Sequence, residues 1–298
     1  MRQRLEYAAA WPFIKILGIL PRPAARAVGI ALSQIVYLFH ARLRQVGMRN
    51  LAMVFPGKSE AERGRILRAE FASLGRQLAE VCHFPQYTPE NVNQVVVFEG
   101  LANFEQARAR GKGVLLFAGH FGGWEISSFV ISLRGHWMYV LMRAMDNQYI
   151  DRLVRHYRTM HGNQAVDKDF VRALLAAMKA GEVAGMLIDT NMTPPQGIFV
   201  NFFGIPACTG IGLARIALRT DAAVVPTFTI WDDTLKKYRL RFDPPVELVR
   251  SGDLEADVRA NTQKFTSLIE DYVRKYPEQW LWVHRRWKTR PAGERSLY

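Results

Sequence analysis

From residue 95 onward, short and wholly apolar runs alternate with longer amphipathic stretches. Val114–Ala118 and residues 183–188 are the clearest of these runs. Apolar runs of this length without a polar face are typical of strands buried on both sides, as in parallel sheets. Because parallel strands need crossover connections, usually helices, the alternation predicts an α/β fold. We expect a mixed, mainly parallel central sheet flanked by helices.

The pattern also places the elements of this sheet along the chain. Strands are predicted at residues 95–98, 114–118, 137–142, 183–188, 222–230 and 238–242, with an extended segment at 194–203. Helices are predicted at residues 101–110, 124–133, 149–160, 169–180, 211–219 and 254–275. In open α/β sheets, binding and catalytic groups gather beyond the carboxyl ends of the strands. Polar residues that directly follow a strand are therefore the first candidates for a site.

Two apolar runs, at residues 8–20 and 27–39, precede the predicted sheet. Neither reaches the roughly 20 uncharged residues that a membrane-spanning helix requires. Aromatic residues within the runs and arginines beside them suit helices that lie at a bilayer surface. We therefore divide the chain into an N-terminal membrane-associating helical segment, residues 1–45, and an α/β domain, residues 46–298. Core helices or one marginal span remain alternative interpretations.

Basic residues are concentrated at the two ends of a chain whose formal net charge is +13. Residues 1–50 contain eight lysines and arginines against one acidic residue, and the last fifteen residues contain five against one. Such ends favour an acidic partner, for which we consider anionic membrane lipids and an acidic carrier protein. Nucleic acid is not expected, because no recognised nucleic-acid motif accompanies the charge. A solvated basic surface remains an alternative.

The two cysteines, Cys82 and Cys208, form no CxxC pair and no Cys/His cluster. A disulfide framework is therefore not expected, and a reducing compartment agrees with this cysteine usage. No secretory signal is expected either, because no small-residue cleavage site follows an apolar core with the right flanks.

One histidine directly follows an apolar strand, in the run Gly119-His-Phe-Gly-Gly-Trp-Glu125. The adjacent glycines, Gly122 and Gly123, permit a sharp turn and a close backbone approach to a ligand. Such a turn would bring Glu125 back towards His120. A carboxylate on one imidazole nitrogen leaves the other nitrogen free to take a proton from an alcohol. We therefore predict His120 as a general base and Glu125 as its partner.

The spacing of His120 and Glu125 is weak evidence when taken alone. A capped loop histidine beside a surface glutamate would give the same pattern. A zinc site has less support, because the sequence has no HExxH motif and no third ligand at metal-site spacing. No metal is expected.

Further polar candidates lie at two other strand ends. Asp189 follows the strand predicted at 183–188, and Arg143 follows the one at 137–142. The helix that comes next carries Arg155 and Arg158. Since the planar guanidinium suits phosphate and oxyanion recognition, Arg143 and this basic helix are predicted to bind acceptor phosphates or sugars. A turn aspartate and solvated arginines remain alternative interpretations.

At these residues the sequence resembles the bacterial lipid A biosynthesis acyltransferases, the late lauroyl and myristoyl transferases of lipopolysaccharide assembly. The resemblance runs nearly end to end, as an ordered set of motifs. They are Arg49-Asn-Leu-Ala-Met-Val-Phe-Pro56, the run around His120, Arg143 with Asp146-Asn147, Arg158, Asp189, Gly197-Ile-Phe-Val200, Phe202-Phe-Gly204, Thr209-Gly210, Val224-Val-Pro226 and Pro277-Glu-Gln-Trp-Leu-Trp-Val-His-Arg-Arg-Trp-Lys-Thr-Arg-Pro291. The last run is highly specific to the family.

The resemblance implies an O-acyltransferase of the HxxxxD/E type. It would move a fatty acyl group from an acyl carrier protein thioester, or from acyl-CoA, to a hydroxyl of a lipid A precursor. Its place would be the cytoplasmic face of the bacterial inner membrane, and it would need no cofactor beyond the thioester co-substrate. The catalytic residues that the resemblance implies are His120, Glu125, Arg158 and Asp189. The expected substrate-binding residues are Arg143, Asn147, Arg155, Gly122 and Gly123.

The expected mechanism is direct attack by the acceptor hydroxyl, without an acyl-enzyme. Arg158 or the backbone N–H groups near Gly122 and Gly123 are the candidates for stabilising the oxyanion. An apolar groove is expected for the acyl chain, although the sequence does not identify its residues. Another acceptor (a glycolipid or a lysophospholipid), a thioesterase-like hydrolase and a non-catalytic basic membrane-binding module remain alternatives.

Overall fold

The computed structural model describes residues 1–142, 144–167 and 170–298. Arg143, a predicted substrate-binding residue, lies outside the described residues. In chain order the described strands are β1 (Val96–Glu99), β2 (Val114–Ala118), β3 (Tyr139–Leu141), β4 (Gln164–Val166), β5 (Val183–Leu187), β6 (Gly197–Phe202), β7 (Ile205–Gly210), β8 (Ala223–Asp232) and β9 (Lys237–Phe242). The described helices are α1 (Arg2–Ile19), α2 (Arg22–Phe39), α3 (Ala41–Val54), α4 (Glu60–Cys82), α5 (Leu101–Ala109), α6 (Trp124–Leu133), α7 (Gln148–Thr159), α8 (Phe170–Lys179), α9 (Gly212–Arg219) and α10 (Leu254–Lys275).

Seven of the strands form one central sheet, in the order β1-β9-β8-β2-β5-β3-β4. Its neighbouring strands are parallel except for β8 and β9, which are antiparallel. Only a short turn, residues 233–236, joins β8 to β9, and a connection this short permits an antiparallel pair alone. The predicted α/β fold with a mixed, mainly parallel sheet is therefore confirmed.

Side chains from both faces of the sheet are buried. Leu115 and Phe117 of β2 pack into a core cluster with α8, α9, α10 and the tryptophans near the C-terminus. Val114 and Leu116 of the same strand pack into a second cluster, with α5 and α6. Because successive strand residues point to opposite faces, a strand covered on both sides must be apolar throughout. This explains the unbroken apolar run in β2.

The register of two central strands positions the site. β2 and β5 are adjacent and parallel, and Ala118 lies opposite Leu187. The backbone N–H of Ile188 donates to the carbonyl of Ala118 at 3.0 Å, so the pairing continues past the last strand residue. His120 lies two residues after Ala118, and Asp189 lies two residues after Leu187. The register therefore brings these two residues side by side at the carboxyl edge of the sheet.

Two parts of the strand prediction were incomplete. β4 was not predicted, because a strand of three residues carries too little pattern to detect. The extended segment predicted at 194–203 contains β6, which pairs with β7 in a separate antiparallel hairpin. Its turn uses positive φ at Phe203 (56°) and Gly204 (77°). A bulky residue such as Phe203 rarely adopts this conformation, so its presence hid the turn.

Helix α2 packs directly on α4, and the contact depends on two glycines. A Cβ added at Gly29 would lie 2.3 Å from the carbonyl oxygen of Gly75, so the two backbones touch. Beside this crossing, the buried Glu80 of α4 binds Arg22 at 3.1 Å and Arg26 at 2.5 Å. These two arginines, which were counted among the charges available to an acidic partner, therefore hold α2 to the rest of the fold.

The N-terminal helices leave large apolar side chains in solvent. The most exposed of them lie on α1 and α2, and are Leu5, Phe13, Ile19, Ile35, Leu38 and Phe39. Among the described residues no single helix meets the length and hydropathy of a membrane span, whereas α2 and α3 meet them together across a bend of 88°. The proposed boundary between residues 45 and 46 falls inside α3.

Candidate active site

His120 and Asp189 form the centre of the candidate site. The His120 ring donates through Nδ1 to Asp189 Oδ1 at 2.7 Å, and the His120 backbone N–H donates to Oδ2 at 2.8 Å. Trp280 Nε1–H also donates to Oδ2, at 2.8 Å. Asp189 is 5% exposed, so these bonds compensate for much of its lost hydration. The carboxylate thereby fixes the orientation of the imidazole.

The expected contact between His120 and Glu125 is wrong. Within the part of the chain that the structure describes, these two residues share no hydrogen bond or ion pair. Glu125 lies in the first turn of α6 and accepts two hydrogen bonds from Arg158 of α7, the one from Nε measuring 2.7 Å. The glycine turn directs the chain into α6 and hence towards α7, while the strand register supplies Asp189 to the imidazole.

The surroundings of His120 set its protonation. Burial alone would lower the pKa of His120, but the charge of Asp189 and the hydrogen bond to it prevail and raise that pKa. Glu125 adds a smaller contribution through its charge alone. Since Nδ1–H is bound to Asp189, the proton-accepting nitrogen of the neutral ring is Nε2. The side chain remains 24% exposed and lines a cavity, so this nitrogen is available to a ligand.

The glycine turn after His120 is held by neighbouring backbone carbonyls. Gly122 has φ of 55° and donates its N–H to the carbonyl of Gln279 at 2.7 Å, and Gly123 donates to Thr229 at 2.8 Å. A Cβ at Gly122 would lie 2.0 Å from the Thr229 oxygen, which only glycine avoids. The N–H groups of Gly122 and Gly123 are therefore already bonded and not free to meet an oxyanion, whereas the close approach of this turn to substrate stays a prediction.

A cavity of about 900 Å³ lies next to His120 and is also lined by Glu125 and Arg158. Its walls are mainly apolar, and five of the ten methionines of the chain contribute to them. These residues are Met138, Met142, Met145, Met186 and Met192. Methionine is unbranched and polarisable, so such walls adapt to a flexible chain. An apolar cavity thus lies beside His120, and that it is the groove expected for the acyl chain stays a prediction.

Two further predicted substrate-binding residues, Asn147 and Arg155, are not among the described residues that line the cavity. Asn147 caps α7 through its side-chain oxygen, and its amide donates to the Gln3 carbonyl at 3.0 Å and to Glu6 at 2.9 Å. Its polar atoms are thus engaged in joining α1 to α7, which corrects its predicted role. Arg155 binds Asp151 at 2.7 Å and lies 3.6 Å from Asp167, a residue that lines the cavity.

Residues 277–291 brace the site. They form the last motif of the family resemblance, and no role was predicted for them. The N–H of Leu281 donates to the His120 carbonyl at 3.1 Å. Arg286 is fully buried and donates to the Cys208 carbonyl at 2.8 Å. Burial lowers the pKa of Arg286 to about 10, although the charge of Asp189 opposes this shift. The signal for this segment was its three tryptophans and its four lysine and arginine residues, but their partners depend on tertiary structure.

His284, from the same segment, lines the cavity together with His120. Its Nε2 accepts a hydrogen bond from the backbone N–H of Asn191 at 2.9 Å. Burial lowers the pKa of His284 to about 4, and the charge of Asp189 opposes that shift only in part. No local pattern in the sequence indicates a function for this histidine.

Among the residues that the structure describes, no three His, Cys, Asp or Glu side chains are arranged so that they could hold a metal ion. That the reaction needs no metal and no cofactor stays a prediction. Cys82 and Cys208 are both buried free thiols.

The fold and the site together comprise an α/β domain with an oriented imidazole beside a largely apolar cavity. The family model of the bacterial lipid A biosynthesis acyltransferases matches residues 2–289. The chain therefore belongs to this family and is an O-acyltransferase, as the motifs predicted. The reaction of the family is acyl transfer in the biosynthesis of lipid A.

Individual relatives agree with this membership. The chain is 27% identical to the lipid A biosynthesis palmitoleoyltransferase of Escherichia coli over 297 residues, which covers 98% of this chain and 95% of that protein. It is 28% identical to the lauroyltransferase of the same organism, with the same coverage. It is 26% identical to the myristoyltransferase over 256 residues, or 86% of this chain and 78% of that protein.

Proposed function

We propose that this enzyme transfers a fatty acyl group from a thioester donor to a hydroxyl of a lipid A precursor, with His120 as general base. The donor is an acyl carrier protein or CoA thioester. Family membership supports acyl transfer onto lipid A. The observation that carries the proposal is the imidazole of His120, held through Nδ1 by Asp189 and placed at the wall of a largely apolar cavity.

The proposed reaction is a single displacement through a tetrahedral intermediate. His120 Nε2 takes the proton of the acceptor hydroxyl while the oxygen bonds to the thioester carbonyl carbon. The negative charge of Asp189 stabilises the resulting imidazolium. When the intermediate collapses, the C–S bond breaks and the departing thiolate takes the proton from His120. No acyl-enzyme is formed, and the products are the acylated lipid and a free thiol.

Arg158 is proposed to bind an oxygen of the substrate. It uses Nε and Nη2 on Glu125, and no hydrogen bond within residues 1–142, 144–167 and 170–298 uses Nη1, which is proposed to meet a ligand in the cavity. The hydrogen bond and the charge of Glu125 prevail over burial and raise the pKa of Arg158, so it remains a cation. A guanidinium held by two bonds loses little freedom when it binds a phosphate or carbonyl oxygen.

The methionine-lined walls of the cavity are proposed to hold the acyl chain. Each methylene group that moves from water to an apolar site contributes about 0.8 kcal/mol. The depth of the cavity would therefore influence which chain length is preferred.

The exposed apolar residues of α1 and α2 are proposed to enter the cytoplasmic face of the bacterial inner membrane. An enzyme of lipid A biosynthesis acts on a membrane lipid. Basic side chains such as Arg42 are also exposed close to Phe39. Such a combination binds anionic bilayers. The same positive charge would attract an acidic acyl carrier protein.

The test is reconstitution with purified protein and mass spectrometry of the lipid products. Acyl carrier protein and CoA thioesters are compared as donors. Lipid A precursor, a glycolipid and a lysophospholipid are compared as acceptors. A mass gain of one acyl chain on lipid A precursor is expected. Transfer only to another acceptor would overturn the acceptor assignment, and acyl release without transfer would indicate a hydrolase.

In the same assay, His120→Ala should lower turnover by at least about 10²-fold, because a positioned general base contributes that much or more. The matched control is His136→Gln, which changes a histidine in the turn between α6 and β3. Near-wild-type transfer by folded His120→Ala protein would overturn the base assignment.

A further inference from the structure

The tetrahedral intermediate of acyl transfer carries an oxyanion, and preorganised donors must meet it. The two backbone N–H groups expected to serve, those of Gly122 and Gly123, are bound to carbonyl oxygens. Arg158 has committed two of its nitrogens to Glu125. Apart from the Nη1 proposed for Arg158, no donor has yet been assigned to the oxyanion, and a second donor close to His120 would complete its stabilisation.

His284 has the required hydrogen atom, because its tautomer is fixed by a neighbour. The backbone N–H of Asn191 can only donate, and it points at His284 Nε2 from 2.9 Å. Nε2 must therefore be unprotonated, so that the neutral ring carries its proton on Nδ1. Among the hydrogen bonds of the described residues, none uses this Nδ1, and it is not a fully enclosed atom without a partner. Since His284 lines the cavity, its Nδ1–H is available to a ligand there.

From this geometry we infer that His284 is a further catalytic residue, whose Nδ1–H donates a hydrogen bond to the oxyanion of the tetrahedral intermediate. The inference rests on the proposed acyl transfer and adds the group that stabilises its developing charge. In this arrangement one imidazole removes a proton and a second, neutral imidazole donates one hydrogen bond. A neutral histidine is known to serve as such an electrophile in other enzymes.

The donor is held rigidly relative to the base. Asn191, which fixes the tautomer, exchanges two hydrogen bonds with Thr289, at 2.9 and 3.0 Å. The carbonyl of His284 accepts from the Asn50 amide at 2.8 Å. Three residues earlier, Leu281 donates its N–H to the carbonyl of His120 at 3.1 Å. One short segment thus connects the two histidines, as preorganised charge stabilisation requires.

The charges around the two imidazoles differ in the way that this division of roles requires. Asp189 receives a hydrogen bond from His120 and raises the pKa of that ring. Burial, together with the charges of His120 and Arg286, keeps His284 neutral despite the opposing charge of Asp189. A neutral His284 donates a hydrogen bond without releasing its proton, so it does not compete with the reaction at His120.

Two substitutions separate the proposed donor from the structural acceptor. In His284→Asn the side-chain amide nitrogen reaches the position of Nδ1, so the donor is kept and the acceptor for Asn191 is lost. In His284→Gln the side-chain oxygen reaches the position of Nε2, so the acceptor is kept and the donor is lost. His136→Gln is the matched control.

Turnover and KM are measured with acyl donor and lipid A precursor, and folding is checked by thermal unfolding. His284→Gln should lose about 10²-fold or more in kcat with little change in KM, because the oxyanion exists only beyond the ground state. His284→Asn should keep more activity than His284→Gln. A merely structural histidine predicts the reverse order, and that result would overturn the inference.

A measurement on the wild-type protein tests the tautomer without substrate. Nitrogen-15 spectra of the seven histidines should show one neutral ring protonated at Nδ1 whose signals disappear in His284→Gln. If the signals that disappear in His284→Gln come instead from a ring protonated at Nε2, or at both nitrogens near neutral pH, the inference is overturned. Failure of the proposed function is a separate outcome, in which wild-type protein transfers no acyl group. An active wild type, an inactive His120→Ala and an unimpaired His284→Gln would overturn the inference alone.

Discussion

Two histidines line the same cavity, and their neighbours give them opposite properties. Asp189 raises the pKa of His120, whereas burial lowers the pKa of His284 to about 4. Groups whose pKa values are separated by their environments in this way are typical of an acid–base site. At the scale of single residues, the hydrogen bond to Asp189 therefore distinguishes His120 from His284.

The pH dependence of the reaction should report this carboxylate. His120 is a base only when it is deprotonated, so kcat/KM should rise with pH through an inflection above the ordinary histidine value of 6.5. Asp189→Asn removes the charge that raises the pKa of His120, and burial then lowers it. We expect the variant to be slower, with its inflection at a lower pH.

The measurement is a pH–rate profile of both proteins under kcat/KM conditions. Asp221→Asn, in the exposed turn before β8, serves as the control and should leave the inflection in place. An inflection that does not move in Asp189→Asn would contradict the assignment of Asp189 as the partner of His120.

The limits of prediction from this sequence are clearest at the scale of strands and helices. The apolar runs predicted the bounds of β2 and β5 accurately. They also predicted that His120 and Asp189 each follow the end of a strand. The adjacency of β2 and β5 was not predictable, because strand order depends on packing between distant parts of the chain. Glu125 was therefore assigned to His120, since it lies only five positions further along the chain, although Asp189 is the residue in contact.

The C-terminal segment illustrates the same limit. Its residues were recognised as a motif, yet the sequence does not reveal that Trp280 reaches Asp189 or that Arg286 is buried. Both features depend on residues that lie far apart along the chain. Trp280 and Asp189, for example, are 91 positions apart. No local pattern encodes such a distance.

The contact between this segment and the strand end can be tested with Trp280→Phe. The substitution keeps an aromatic ring among Phe202, Trp282 and Trp287 but removes the N–H that binds Asp189. Losing a hydrogen bond to a charged group costs about 1.5–3 kcal/mol, so turnover should fall by roughly tenfold or more, with little loss of thermal stability if packing is kept. The pH–rate inflection should also shift, because Asp189 then binds His120 differently.

A Trp280→Phe protein with wild-type turnover and pH profile would show that the Trp280 N–H does not position Asp189. Trp231→Phe provides the control, since it removes an indole hydrogen bond to Asp233, at the end of β8. That substitution should leave the pH–rate inflection unchanged.

At the scale of the whole molecule, the N-terminal helices serve two purposes at once. Their inner side binds the body through the Gly29–Gly75 contact and Glu80. Their outer side exposes apolar residues, with Phe39 at 82%. A helix fixed in this way would hold a bilayer at a constant orientation relative to the cavity.

Vesicle binding should therefore depend on the outer side alone. The double substitution Leu38→Gln with Phe39→Gln should weaken sedimentation with anionic vesicles by about tenfold or more, because each of these side chains contributes roughly 1.5–3 kcal/mol when buried. Thermal stability should be unchanged, since both residues are exposed. Leu235→Gln, an exposed leucine in the turn between β8 and β9, is the control, and equal binding by the double variant would contradict the membrane assignment.

The segment that braces His120 has a consequence for biogenesis. Residues 277–291 follow every other element of the site in chain order, so a nascent chain leaving the ribosome exposes them last. Until they dock, the glycine turn lacks the Gln279 carbonyl and Asp189 lacks the Trp280 indole. Translation products that stop before this segment should accumulate as proteins without transfer activity, even when the sheet itself has formed.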